Sequence, residues 1–436
     1  MGPGVRGEGA GMTVRVSRQT EPLQQMTALA RAGYDDYVVY ENGGTWTFAG
    51  GALAAITLDS THVRVRGVVE SDTEWSGSPG AALQQALATL PVPEWRAYGR
   101  VHFGYSALPP GSGLPKPSGE LVRLIVPRTE VRVTGNEVEI RGEDEALVRG
   151  IIDAPSPAPH SPSRPIDVRA SGAAYRGRVA RALGEIRRGR YQKVILSRSV
   201  RIPFPVDLAS TYEAGRRANT PARSFLLRLD GAEAAGFSPE VVLTVSADGT
   251  VVTQPLAGTR AFGRGSEQDA AARKDLESNP KEIFEHAVSV RTAQEELLRV
   301  CRPDSVRVKD FMGIKERGSV QHLASSVSGE LAEGRTPWDA LEAVFPSVTA
   351  SGIPKREAID AITRLDEVRG LYSGAVVTAA HDGSFDAALV LRAVYQENGQ
   401  AWLRAGAGIV TESTPERELE ETCEKLGSVA PYVVPA

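Results

Sequence analysis

The chain has 436 residues, enough to bury a large core and more than one domain usually needs. Charged residues are 24% and apolar residues 41%, as in an ordinary soluble protein, and a formal net charge of -4 gives no electrostatic reason to expect nucleic acid or acidic lipid as a partner. Only Cys301 and Cys423 are present, in no zinc or CxxC spacing, which fits a reducing compartment and argues against a disulfide framework.

In chain order, residues 1–14 read as a disordered tail: Met1 to Gly11 are Gly-rich and lack the apolar stretch of a secretory signal. The longest apolar runs, such as 387–391, fall far short of the roughly 18 residues a spanning helix needs, so no membrane association is expected and the cytoplasm is the expected location. Residues 15–153 carry short alternating or apolar runs at 46–48, 54–58, 63–66, 121–126 and 137–141, several of them bounded by glycine, which read as antiparallel strands. Residues 154–168 are Pro/Ser-rich and can hold neither a regular helix nor a central strand; they are an inter-domain linker or a long surface loop.

From 169 to 436 the pattern changes. Residues 175–188 have helical periodicity, 194–196, 224–229 and 241–245 read as strands, 274–300 as one strong helix and 353–367 as another. Residues 387–395 and 402–405 read as a hairpin. Strands and helices come in runs rather than in βαβ alternation, which favours an α+β fold with large antiparallel sheets over a doubly wound one. A GxGxxG string at 2–7 lies in the tail with no strand before it, and GxxxxGK[ST], HExxH and GxSxG are absent.

Several residue patterns could carry chemistry. Asn279-Pro-Lys-Glu-Ile-Phe-Glu-His286 sets Glu282 and Glu285 three apart, and the segment 415–425 does the same with Glu418 and Glu421. Residues three apart share a helix face, and two such helices could hold a hard divalent cation; oxygen-only ligands select Mg²⁺ over zinc or copper. The plainer reading makes Asn279 an N-cap, Pro280 the first helical residue and Glu282 part of a capping box. It places Glu418, Glu421 and Lys425 on a solvated face, off the apolar stripe Leu419, Cys423, Leu426.

Lys193 leads the apolar Val194-Ile-Leu196, so it either snorkels to an edge or sits desolvated, as suits a general base. Glu240 precedes Val241-Val-Leu243 and is either a turn residue or a carboxyl with a raised pKa that can act as an acid. Arg392 stands in an otherwise apolar run and must meet an anion, from the protein or from a ligand. Gly406-Ala407-Gly408 and Pro255-Leu-Ala-Gly258-Thr259 are plain chain reversals or, for the first, a source of backbone N–H groups that could grip a carboxylate. His322 taken alone is a core or surface histidine.

Taken in order, Lys193, SPE at 238–240, PLAGT at 255–259, NPKEIFEH at 279–286, VQHL at 320–323, FPSVTASGIPK at 345–355, RGLYSG at 369–374, LRAGAGI at 403–409 and ERELEETCEKL at 416–426 resemble the chorismate-utilising enzymes. That superfamily includes anthranilate, isochorismate, aminodeoxychorismate and salicylate synthases. The resemblance runs from about Gly172 to the end, and YQKVILSR, FPSVTASGIPK and EETCEKL are most similar to salicylate synthases of the mycobactin-pathway type; before it, Trp95-Arg-Ala-Tyr-Gly99 also fits.

The resemblance implies antiparallel sheets packed as a sandwich with helices outside. It implies that Lys193 activates water for attack on C2 of chorismate and that Glu240 protonates the departing C4 hydroxyl; should the base lie elsewhere than at Lys193, His322 is the next candidate. The isochorismate formed then loses pyruvate in a pericyclic step to give salicylate. Glu285 and Glu421 would ligate Mg²⁺, with Glu282 and Glu418 close by, directly or through water, and the metal would hold the ring carboxylate. Tyr372, Arg392 and the backbone of Gly406, Ala407 and Gly408 would hold the enolpyruvyl carboxylate, while Gly258, Thr259, His322 and Lys425 line the pocket.

Relatives that use ammonia usually carry glutamine where Lys193 stands, and aminodeoxychorismate synthases carry lysine in place of Ala257, so no glutaminase subunit is expected and a monomer is. An isochorismate synthase without efficient lyase activity is the alternative. A catalytically silent chorismate-binding subunit fits less well with Lys193 and Glu240 both present. A di-iron carboxylate protein would need Glu-x-x-His pairs, whereas His286 follows Glu285 directly.

Overall fold

The computed structural model describes residues 14–17, 21–152, 154, 161–317 and 320–436, with backbone alone at 14–17, 257 and 281. The expected tail lies outside the described residues except Val14, which opens a strand, Val14–Ser17, paired with Glu137–Gly142. Most of the Pro-rich stretch, 155–160, also lies outside them.

The architecture is α+β, with strand after strand paired antiparallel. Side-chain alternation along the strands shows the layers. In strand Tyr37–Asn42, Tyr37 and Val39 join an apolar core with Leu23, Met26 and Leu29 of helix Pro22–Ala30. Val38 and Tyr40 face a second core, shared with Phe225, Leu227, Val376 and Ala388. In strand Ala375–Ala380, Ala375 and Val377 turn to a third core with Trp338 of helix Pro337–Val344, while Val376 faces the second. The second core is therefore the layer between packed sheets, and the first and third lie between sheets and outer helices, as a sandwich with helices outside requires.

The strands cross the Pro-rich stretch freely. Tyr37–Asn42 pairs with Arg223–Leu229, and Arg96–Val101 pairs with Ala375–Ala380.

Several elements differ from their sequence reading. The single helix expected over 274–300 is two, Ser266–Ser278 and Pro280–Leu297, because Pro280 has no N–H to continue the ladder. Asn279 then caps the second helix as expected: its carbonyl accepts from Ile283 N at 3.0 Å and its side chain from Glu282 N at 3.4 Å. The apolar run 387–395 is also two strands, Phe385–Leu389 and Ala393–Glu397, and only the second forms the hairpin with Gln400–Ile409. Between them Arg392 has φ +52°, which breaks the extended ladder. The two glycine motifs are not chain reversals. Gly406, Ala407 and Gly408 lie inside strand Gln400–Ile409, and Gly258, at φ +73°, is a bulge in strand Leu256–Ala261.

Candidate active site

Two neighbouring strand runs break at the same level, and the breaks aim chemistry into one space. Strand Ala232–Ser238 stops at Pro239-Glu240 and resumes as Val241–Val245. Its antiparallel neighbour stops after Leu389 and resumes at Ala393. The breaks are cross-linked: Leu389 N donates to Glu240 O at 3.1 Å and Phe237 N to Arg392 O at 3.1 Å. Glu240 and Arg392 are the residues freed from the ladder.

The Glu240 side chain is buried, and its Oε2 has no hydrogen-bond partner among the described residues. Burial lifts its pKa from the ordinary 4.5 to about 8, with the hydroxyls of Thr349 and Ser347 pulling weakly the other way. The sequence expectation of a protonated carboxyl therefore has a physical cause in desolvation. Ser347 and Thr349 belong to the FPSVTASGIPK string but were not read individually.

His322 meets Arg392: its Nδ1 is 2.9 Å from Thr259 Oγ1 and its Nε2 3.5 Å from an Arg392 Nη. Burial, reinforced by the Arg392 charge, lowers its pKa to about 3, so the ring is neutral at all physiological pH values. Arg392 is itself desolvated, which lowers its pKa to about 10.

Lys193 opens strand Lys193–Ile202, held between Ile353 on one side and strand Gln400–Ile409 on the other. Its Nζ donates to Glu285 Oε2 at 3.0 Å, and its charge also helps lower the pKa of Glu421. Helices Pro280–Leu297 and Pro415–Leu426 thus bring their glutamates to the same lysine. A Cβ on Gly408 would lie 3.1 Å from Lys193 Cε, so the glycine makes room for the lysine stem. A Cβ on Gly406 would lie 2.7 Å from the Tyr372 hydroxyl and 2.8 Å from Leu196 O. The chemical reason for glycine at both positions is close approach of another group.

Tyr372 is buried between two guanidiniums, Arg404 at 5.2 Å and Arg369 at 5.6 Å from its ring centre. Burial raises its pKa, so the phenol keeps its proton and remains a donor. Arg369 and Arg404 are both bonded around Asp366. They were missed in the sequence, although an arginine inside RGLYSG or LRAGAGI invites the argument applied to Arg392.

Three of the four carboxylates of the expected metal site face a cation. Glu282 accepts from Arg260 at 2.9 Å, Glu285 from Lys193 at 3.0 Å and Glu421 from Lys425 at 2.8 Å. Glu418 is buried, which removes the solvated-face reading for it. Burial works against the Lys425 charge, but Glu421 outweighs it and raises the lysine pKa, and Lys425 Nζ also donates to Gly406 O at 2.9 Å. Gly258 leaves space beside Glu282, whose Oε2 would be 2.9 Å from a Cβ there. Among the described residues no three His, Cys, Asp or Glu side chains converge on one point closely enough to hold an ion. The donor set, carboxylate oxygen from two facing helices, is nevertheless the chemistry Mg²⁺ takes.

Residues 36–431 match the chorismate binding enzyme family. A salicylate synthase of Mycolicibacterium paratuberculosis is 50% identical over 414 residues, 93% of this chain and 91% of its own. An anthranilate synthase component 1 of Acetivibrio thermocellus is 38% identical over 248 residues, 57% of this chain and 50% of its own. Two solved structures share the fold. Anthranilate synthase component I of Streptococcus pneumoniae has a TM-score of 0.76 at 24% identity, covering 89% of this chain and 92% of its own. The menaquinone-specific isochorismate synthase of Escherichia coli has a TM-score of 0.76 at 19% identity, covering 97% and 95%. Among the described residues no helix is long and apolar enough to cross a membrane. With the family match spanning most of its length, the chain belongs to the chorismate-binding enzymes.

Proposed function

We propose that the chain is a salicylate synthase that converts chorismate through isochorismate to salicylate and pyruvate. The observation that carries this reading is the 50% identity to a salicylate synthase over nearly the whole of both chains, where the anthranilate synthase relative matches only 248 residues. The residues present supply the required chemistry. Adding water at one ring carbon and expelling hydroxide from another needs a base and an acid at separate points. Lys193 is the base that activates water for C2. Glu240, protonated below about pH 8, is the acid that delivers a proton to the leaving C4 hydroxyl.

Arg392, the Tyr372 phenol and the Gly406–Gly408 backbone bind the enolpyruvyl carboxylate, and Gly258, Thr259, neutral His322 and Lys425 shape the pocket wall. Glu285 and Glu421, with Glu282 and Glu418, are the groups that would hold Mg²⁺. A bound Mg²⁺ supplies positive charge to neutralise and orient the ring carboxylate. The final pericyclic hydrogen transfer needs no protein proton carrier, only a bound conformer near the reacting geometry.

The test is a product assay with chorismate and Mg²⁺ and no ammonia source. Salicylate and pyruvate in equal amounts are expected. Isochorismate as the only lasting product would favour the isochorismate synthase alternative, and anthranilate formation on adding ammonium would refute both. The same reaction run without any second protein tests the expectation that no glutaminase subunit is needed, and sedimentation tests the expectation of a monomer.

A further inference from the structure

Arg317 has a role in the site that neither the motif strings nor the comparisons give it. It ends strand Arg307–Arg317, across the hairpin from Val320. Its Nε donates to Pro239 O at 3.4 Å and an Nη to Glu316 O at 3.2 Å. Pro239 is two residues along the chain from Phe237, whose N–H bonds the Arg392 carbonyl, so the two arginines are fixed to the same broken strand. The other arginines near this break are neutralised: Arg223 by Asp386 and Arg260 by Asp275 and Glu282. Among the described residues Arg317 and Arg392 have no carboxylate partner, only carbonyls and the His322 ring.

A desolvated guanidinium that feels a neighbouring like charge is unfavourable unless an anion stands between them. Arg392 shows the effect: burial and then the Arg317 charge lower its pKa, while Arg317 is lowered by burial and by the charge of Arg223. Glu316, next to Arg317, is paired with Arg273, and Glu240, the residue after Pro239, is kept neutral up to about pH 8 and so does not serve as their counter-ion near neutrality. The missing charge has to arrive with the ligand.

We propose that Arg317 is a further substrate-binding residue, which with Arg392 clamps one carboxylate of the dianionic substrate from the hairpin side of the pocket. This rests on chorismate being that substrate. A second charge-assisted hydrogen bond to a carboxylate corresponds to about tenfold or more in affinity.

The experiment measures chorismate binding by calorimetry with Mg²⁺ present, in a Glu240→Gln parent that is expected to bind without turning over. Adding Arg317→Gln should weaken binding about tenfold or more and flatten its dependence on salt, while Arg317→Lys, which keeps the charge and loses the fork, should recover part of the loss. Thermal melting of the variants separates a binding loss from loss of the Pro239 contact. If Arg317→Gln does not fold, Arg317→Lys alone decides: wild-type affinity with an unchanged salt slope overturns the proposal, and a several-fold loss supports it. Binding by Arg317→Gln within twofold of the parent also overturns it. Absence of chorismate binding by the parent would bring down the chorismate reading itself, and this proposal with it.

Discussion

Replacing Glu240 with glutamine should stabilise the fold while stopping the reaction, and the stabilisation should depend on pH in a direction that can be worked out. In the folded chain the Glu240 carboxyl has a pKa of about 8, against 4.5 when solvated. Between these values the folded state holds a proton that the unfolded state has released, so stability falls as pH rises from 4.5 and levels off above 8. At pH 7 the penalty is about 3 kcal/mol, and at pH 5 it is under about 1 kcal/mol. Glutamine has the same shape and no proton to release, so it avoids the penalty at both pH values. The cost of the unpartnered Oε2 position is common to both side chains and cancels between the two pH values. Urea unfolding of wild type and Glu240→Gln at pH 5 and pH 7 measures the difference directly. A stability gap that is equal at the two pH values, or that shrinks toward neutrality, would refute the desolvated-acid argument. In wild type the C4 hydroxyl-loss step should decline as pH rises through about 8, and Glu240→Gln should still process supplied isochorismate.

Lys193→Ala should cut chorismate turnover by at least about a hundredfold and leave conversion of added isochorismate partly intact, as assayed by salicylate fluorescence. EDTA should abolish activity and Mg²⁺ restore it, with Glu285→Gln and Glu421→Gln nearly inactive but folded by circular dichroism; full activity in the double variant would remove the glutamate pairs from the site. Gly408→Ala places a methyl 3.1 Å from Lys193 Cε and should lower kcat more than it changes KM, whereas a side chain free to move aside would give a wild-type kcat.

The helix pairs and the motif order were legible because each rests on local rules. Pro280 and Thr414-Pro415 mark helix starts, and spacing three apart puts Glu282 with Glu285 and Glu418 with Glu421. What spacing could not show is which cation each carboxylate meets. Lys193 and Glu285 are 92 residues apart, and their contact exists only because the strand from Lys193 and the helix from Pro280 are assembled by the sheet. The break at Arg392 was invisible for a different reason. Apolarity runs unbroken on both sides of it, and only the positive φ, fixed by tertiary contacts, splits the run. Gly258, Gly406 and Gly408 were legible as glycines but misread as reversals. The chain bends at none of the last two; they are small because Tyr372 and Lys193 cross the strand there. Arg317 carried no local signal, since an arginine between Glu316 and Gly318 looks like any solvated hairpin residue.

The first 150 residues contribute none of the candidate side chains, yet the site depends on them through the sheet. Strand Tyr37–Asn42 flanks Arg223–Leu229, which flanks the strand that ends at Ser238 before Glu240. Tyr40 and Asn42 both donate to Asp386, which also neutralises Arg223. Asp386 lies in the strand that breaks before Arg392, so the N-terminal strands, through this carboxylate, tie down both broken runs and neutralise Arg223, a positive charge that would otherwise compete for the substrate. Among the described residues Arg392 and Arg317 are then left without a protein anion at the level of the break, which is the electrostatic condition for taking up a dianion. The same sheet that buries Glu240 enough to keep its proton holds these two charges ready for a ligand, and acid strength and anion binding therefore arise from one structural cause: paired strands that stop together beside an apolar layer.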